Sequence, residues 1–213
     1  MDRGLSNNYV MSVTQDSRGF LWVATESGLN RFDGKNFKNY RKGAPDSAGA
    51  VSVSANELNK VYADRYDPVI WVATQRGGLN MFDVHTEEFT HFRHSPADSA
   101  GIITDDITDV RNSADGNLWV STYHRGVEYF DKSSGTFTHY NTATLQGLAS
   151  DNVWSVAEDS GGNLYIGHVS DGLSIVSLAD MRVRCYRHDP GDARSLPGNT
   201  VQTVYVDELD NVW

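Results

Sequence analysis

The sequence predicts an all-β fold, a partial β-propeller of four-stranded antiparallel blades. Three observations predict it. A phrase recurs: FLWVATESGLNRFD at 20–33, IWVATQRGGLNMFD at 70–83, LWVSTYHRGVEYFD at 118–131, and a fainter LYIGHVSDGLSIVS at 164–177. Its anchoring aromatics, Trp22, Trp71, Trp119, Tyr165 and Trp213, stand 49, 48, 46 and 48 residues apart, a period that signals a repeat architecture. Between them lie short β-rich runs bounded by Gly, Asn, Asp and Ser, with no sustained helical period.

The first unit shows how each element arises. VMSVTQD (10–16) is rich in β formers and alternates imperfectly; SRG turns the chain; FLWVAT (20–25) is a second apolar run. ESG turns it again, LNRFD (29–33) is a third run, GKN a turn, and FKNYR (37–41) a fourth. The units run 5–52, 53–101, 102–147, 148–195 and, incomplete, 196–213. One blade cannot bury both faces alone, but blades stacked around an axis do, leaving only short edges.

Columns recur in register. A leading aliphatic stands at Leu5, Val53, Ile102, Leu148 and Leu196, followed three residues on by Asn8, Asn56, Asp105, Asp151 and Asn199. The Asx side chains are expected to cap a turn two residues on. The alternative is a ring of polar groups facing a central channel. An Asp closes the first strand at Asp16, Asp64, Asp159 and Asp207, with Ser113 in the third unit, and reads as a turn device. A Gly opens the third strand at Gly28, Gly78, Gly126 and Gly172. The aromatic column is expected to fill the space between adjacent sheets.

The bulk composition excludes several classes. The chain has 213 residues, 39% hydrophobic, and a net charge of −10 with no basic run, which argues against nucleic acid. No apolar run reaches the length of a membrane span, and MDRGLSNN is not a secretory leader. Cys185 stands alone, so an internal disulfide and a cysteine-cluster metal site are excluded. The seven histidines show no metal-ligand spacing on a shared strand face, and there is no phosphate loop or nucleophile elbow. SADGNLW (113–119) is similar to the Asp-box of sialidases but one residue short, and that box is a turn. No catalytic residue, metal or cofactor is expected.

The run LSNNYV-x-SV-x-x-DSRGFLWVAT-x-x-GLNRFD, with its copies, resembles the two-component regulator propeller repeat. The resemblance covers four units and the first third of a fifth. The fourth departs most, with Tyr165 for Trp and Val176-Ser177 for Phe-Asp. The resemblance implies a seven-bladed propeller in the periplasmic sensor region of a large bacterial signalling protein, many of which detect polysaccharide fragments. Further blades, a small β-sandwich, a membrane helix and a kinase or cyclase would share the polypeptide, and the parent could pair as a homodimer. Four blades and a third fill little more than half of such a ring, so the chain is expected to belong to a longer frame.

A ligand site is expected on loops. By analogy with other propellers the first strand lines the channel and the fourth the rim. The connections 42–52, 93–101, 141–147 and 187–195 then share a face with the turns between second and third strands. Those turns carry Gln75 and Arg76, then Tyr123, His124 and Arg125, with His168 and Asp171 as weaker members. Aromatic faces and planar polar groups suit sugar hydroxyls, and Arg suits an acidic sugar. The first reading is a module that senses an oligosaccharide or other small polar ligand and signals to a kinase outside the chain. A protein-interaction scaffold would bind partners without glycan; a glycan-active enzyme would cleave substrate.

Overall fold

The structure, a computed structural model, describes residues 4–43 and 52–213; most of the first long connection lies outside the described residues. Among these residues there are strands and no helix. The first sheet holds β1 (Val10–Gln15), β2 (Leu21–Thr25), β3 (Gly28–Phe32) and β4 (Phe37–Tyr40). The second holds β5 (Leu58–Ala63), β6 (Val69–Thr74), β7 (Leu79–Asp83) and β8 (Phe89–Phe92). The third holds β9 (Ile107–Asn112), β10 (Leu118–Thr122), β11 (Gly126–Asp131) and β12 (Thr136–Tyr140). The fourth holds β13 (Val153–Glu158), β14 (Asn163–His168), β15 (Leu173–Ser177) and β16 (Arg182–Tyr186). Each sheet joins its strands in chain order, the four-stranded antiparallel blade expected. Residues 196–213 make only an isolated bridge between Val206 and Val212.

The imperfect alternation of the first strand has a cause. The pairing register slips between Val10 and Ser12, between Leu58 and Lys60, and between Val153 and Ser155. A β-bulge therefore sits at Met11, Asn59 and Trp154. Bulges re-aim a side chain and gather beside functional sites.

The chain divides into two compact units, Met1–Val110 and Arg111–Trp213. In the first unit, Trp22, Leu29 and Tyr40 of the first sheet pack against Leu58, Val61, Ile70 and Phe82 of the second. The Trp22 and Phe82 rings lie 5.0 Å apart, and Tyr40 and Phe82 5.2 Å apart. In the second unit, Trp119 and Val127 pack against Val153, Val156 and Ile166 of the fourth sheet. The tryptophan column thus fills space between sheets, as expected. Trp22, Trp71 and Trp119 are buried, Tyr165 is half-buried and Trp213 is exposed.

The strand-end Asp does more than turn the chain. Asp16 Oδ1 accepts the amides of Arg18 and Phe20, while Oδ2 accepts the Trp22 indole N–H at 2.9 Å. Asp64 holds Trp71 at 2.8 Å, Asp159 the Tyr165 hydroxyl at 2.9 Å, and Asp207 Trp213 at 3.1 Å. A buried indole N–H without an acceptor is costly, so the column couples turn and core. In the third blade, where Ser113 replaces the Asp, Glu158 of the next blade takes Trp119 at 2.7 Å.

The Asx column corrects the expectation of a local cap. Asn56 Oδ1 accepts the amide of Lys42, Asp105 that of His94, Asp151 that of Thr142 and Asn199 that of His188, at 2.7–2.8 Å. Each side chain therefore reaches back to the residues that follow the preceding blade's fourth strand. The two-residue turn is made one position earlier, where Asn7, Thr104 and Ser150 accept the amides of Tyr9, Asp106 and Asn152. The Gly column has a double cause. Gly78 and Gly126 adopt φ of +75° and +83°, and a Cβ there would meet the carbonyl oxygens of Phe92 and Tyr140 at 2.1 and 2.2 Å.

Among the described residues, the connections 93–101 and 187–195 are each tied across by a histidine. His94 Nδ1 bonds the Ile102 carbonyl at 2.9 Å, and His188 Nδ1 repeats this with Leu196 at 2.7 Å.

Candidate functional site

Each turn after a blade's second strand is pinned by the Thr that ends that strand. Thr25, Thr74 and Thr122 donate their hydroxyls to the carbonyls of Gly28, Gly78 and Gly126 at 2.8–2.9 Å. The next residues project from a fixed base. Arg76 and His124 hold φ of 64° and 72°, a left-handed backbone that costs a non-glycine residue about 1–2 kcal/mol. Strain of this kind persists where surrounding contacts impose it, and it collects at ligand clamps.

In the first unit, Gln75 and Arg76 line a cavity of about 430 Å³ with Glu26, Lys42, Asn56 and Glu57. The turn residues and the end of the long connection thus share one cleft there. Arg76 pairs there with Glu57 at 3.5 Å, both largely exposed. Such a surface pair contributes little to stability.

In the second unit, Tyr123, His124 and Arg125 form the turn between β10 and β11. The Tyr123 ring packs on His124 at 3.8 Å and lies 5.8 Å from Trp154 at an interplanar angle of 33°. His124 Nδ1 is hydrogen-bonded to Asn152 Oδ1. Tyr123 is 37% exposed, and Arg125 is exposed. The result is an aromatic shelf with polar groups at its edge, the composition that seats a ring while fixing its orientation.

The weaker sequence candidates do not join it. His168 takes the place of the pinning Thr and is fully buried, its Nε2 2.8 Å from Ser174 Oγ. Burial lowers the imidazole pKa and keeps the ring neutral. It lies inside the sheet and cannot meet a ligand on the loops, because His168 occupies the last, inward-facing position of β14. Asp171 is tied to Arg187 at 3.5 Å.

Trp154 and Asn152 were missed. In a plain strand Trp154 reads as one more apolar residue; the bulge turns it toward the loop. A signal was present, since its column holds Met11, Asn59 and Thr108 elsewhere, none as large. A larger cavity, about 740 Å³, lies between Leu173, Ile175 and the 187–195 connection; that connection was expected on the ligand face, but none of the turn candidates lines the cavity.

The sequence profile described as Two component regulator propeller matches residues 4–27 and 147–170. Over its whole length the chain is 47% identical to the extracellular domain of a putative hybrid two component system from B. thetaiotaomicron, with a TM-score of 0.91, and it spans 28% of that chain. It is 52% identical over 44 residues to Histidine kinase P4 of Formosa agariphila, 21% of this chain and 3% of that protein. PorZ, a surface component of the type-IX secretion system of Porphyromonas gingivalis, matches 96% of the chain and 30% of its own at 16% identity, with a TM-score of 0.63. That likeness is one of fold alone. Repeats at a fixed period, blades in register, profile matches in the first and fourth units and a whole-chain likeness to a two-component extracellular domain agree: the chain is built of two-component regulator propeller repeats.

Proposed function

We propose that the chain is part of the extracytoplasmic ligand-sensing propeller of a hybrid two-component sensor, that it recognises an oligosaccharide, and that a kinase elsewhere in the polypeptide receives the signal. The whole-chain likeness to a two-component extracellular domain supports the placement, with the periplasm as the compartment. The observation that carries the ligand class is the Tyr123–Trp154 pair, one ring on a turn and one at the β13 bulge of the next blade, 5.8 Å apart. A pyranose offers an apolar face for stacking and equatorial hydroxyls for groups such as His124 and Arg125. Bond-making chemistry is not required: a ligand that binds one state of the sensor better than another shifts its equilibrium by that difference. The test is binding of the full chain to a printed panel of plant, algal and host oligosaccharides. Retention of at least one glycan, lost on Tyr123→Ala, is expected. Silence across the panel, or binding that ignores this substitution, would sink the reading.

A further inference from the structure

We infer that Asn152 is the positioning residue of the shelf: from the start of the fourth blade it holds the His124 ring, and through it the Tyr123 ring, against Trp154 before any ligand arrives. This rests on the oligosaccharide reading above and names what keeps that site in shape. The base of the turn between β10 and β11 is closed by the Thr122 hydroxyl on the Gly126 carbonyl. The Gly126 amide also donates to the Asp151 carbonyl at 2.9 Å, a backbone bond that Gly78 repeats with Asp105 and Gly172 with Asn199. These bonds recur from blade to blade and set the base of the turn, not the direction of the side chains at its tip. At the tip, His124 Nδ1 is bonded to Asn152 Oδ1.

Asn152 is itself held still. Its amide donates to Ser150 Oγ at 3.2 Å, and its carbonyl accepts the Val169 amide at 3.1 Å. It thus ties the tip of one blade's turn to the root of the next blade's turn. Arg76 stands in the place of His124, also at positive φ, but bonds Glu57 of its own blade. The left-handed backbone at His124 is unfavourable for any residue with a Cβ, and it persists where contacts impose it. One hydrogen bond to a fixed partner is of the same order as that strain. The Tyr123 ring packs on the imidazole at 3.8 Å and lies 5.8 Å from Trp154, which the β13 bulge places independently. At 37% exposure Tyr123 has room to swing outward once the imidazole lets go. A shelf formed in advance spares a ligand the cost of ordering that ring.

The experiment uses the full chain and two readouts. Nuclear Overhauser contacts between the Tyr123 and Trp154 rings, in the labelled chain without ligand, report the shelf. Those between Trp119 and Tyr129, whose rings lie 5.1 Å apart in the same unit, report the fold. Asn152→Leu keeps most of the bulk and the backbone bonds and deletes the polar contact. The first set of contacts is expected to fade in it while the second stays. Asn152→Asp, which keeps an oxygen in the same place, is expected to bring the first set back. Affinity for a glycan found on the panel should follow, about fivefold weaker in Asn152→Leu and largely restored in Asn152→Asp. In a Tyr123→Ala background Asn152→Leu should change affinity no further, because it acts through that ring. Shelf contacts that survive Asn152→Leu would overturn the inference and leave the oligosaccharide reading intact. So would an equal second loss in the Tyr123→Ala background, which would put Asn152 on the glycan itself. A shelf that loosens in Asn152→Leu on a chain that binds no glycan would overturn the oligosaccharide reading and uphold Asn152 as the residue that sets the turn.

Discussion

At the turn after β6, Gln75 and Arg76 face Glu26, Asn56 and Glu57; at the turn after β10, Tyr123 and His124 meet Asn152 and Trp154. The frame beneath is the same in both. A Thr pins each turn and a residue at positive φ projects from it. Only the projecting side chains differ. One cleft is polar and charged, while the other is built on aromatic rings. The comparison teaches that blade packing and loop chemistry are separable: core columns fix where the turn points, and turn columns decide what it meets.

The largest effect should fall on the shared frame. Trp22→Ala removes a fully buried ring from between two sheets and should cost about 3–5 kcal/mol, whereas Trp213→Ala, in the same column but 74% exposed, should stay within about 0.5 kcal/mol. Denaturant unfolding of both variants checks this, and equal losses would break the idea that the column acts through burial.

Next come the indole acceptors. Asp16→Ala strands the Trp22 N–H and two turn amides and should cost about 1–3 kcal/mol. Glu158→Ala should cost a similar amount although it lies in a different blade from Trp119, and Ser113→Asp in that background should restore part of the loss. A silent Glu158→Ala would show that the third blade solves its buried N–H otherwise.

The clefts themselves separate in binding. Tyr123→Ala or Trp154→Ala should lower oligosaccharide affinity by about tenfold, while Gln75→Ala should change it less than about twofold, read by titration with one glycan. The reverse ranking would move the site to the first unit.

The smallest effect is alkaline. Burial, then the Asp159 carboxylate, pushes the Tyr165 hydroxyl up to about 12. A pKa raised on folding keeps its contribution below the ordinary value near 10 and loses it as pH climbs toward 12, so stability should decline across that window. Tyr165→Trp installs the non-titrating group that the other blades use. It should flatten the decline measured between about pH 9 and pH 12. An unchanged slope would remove Tyr165 as its source.

The sequence by itself determined the period, the four strands of each blade, the buried tryptophans and the glycine column. These follow from short-range rules: β-rich runs end where turn residues stand, and an L-residue cannot take the place of Gly126 against the Tyr140 carbonyl. Tyr123, His124 and Arg125 were legible as loop residues for the same reason. Tertiary structure alone decided the rest. Trp154 joins Tyr123 because a bulge re-aims it, Glu158 adopts Trp119 from the next blade, the Asx column clasps the preceding connection, and His168 disappears into the sheet. Most of these turn on pairing register or on contacts between residues about ten to forty positions apart, fixed by the stacking of one sheet on the next, which no local pattern encodes.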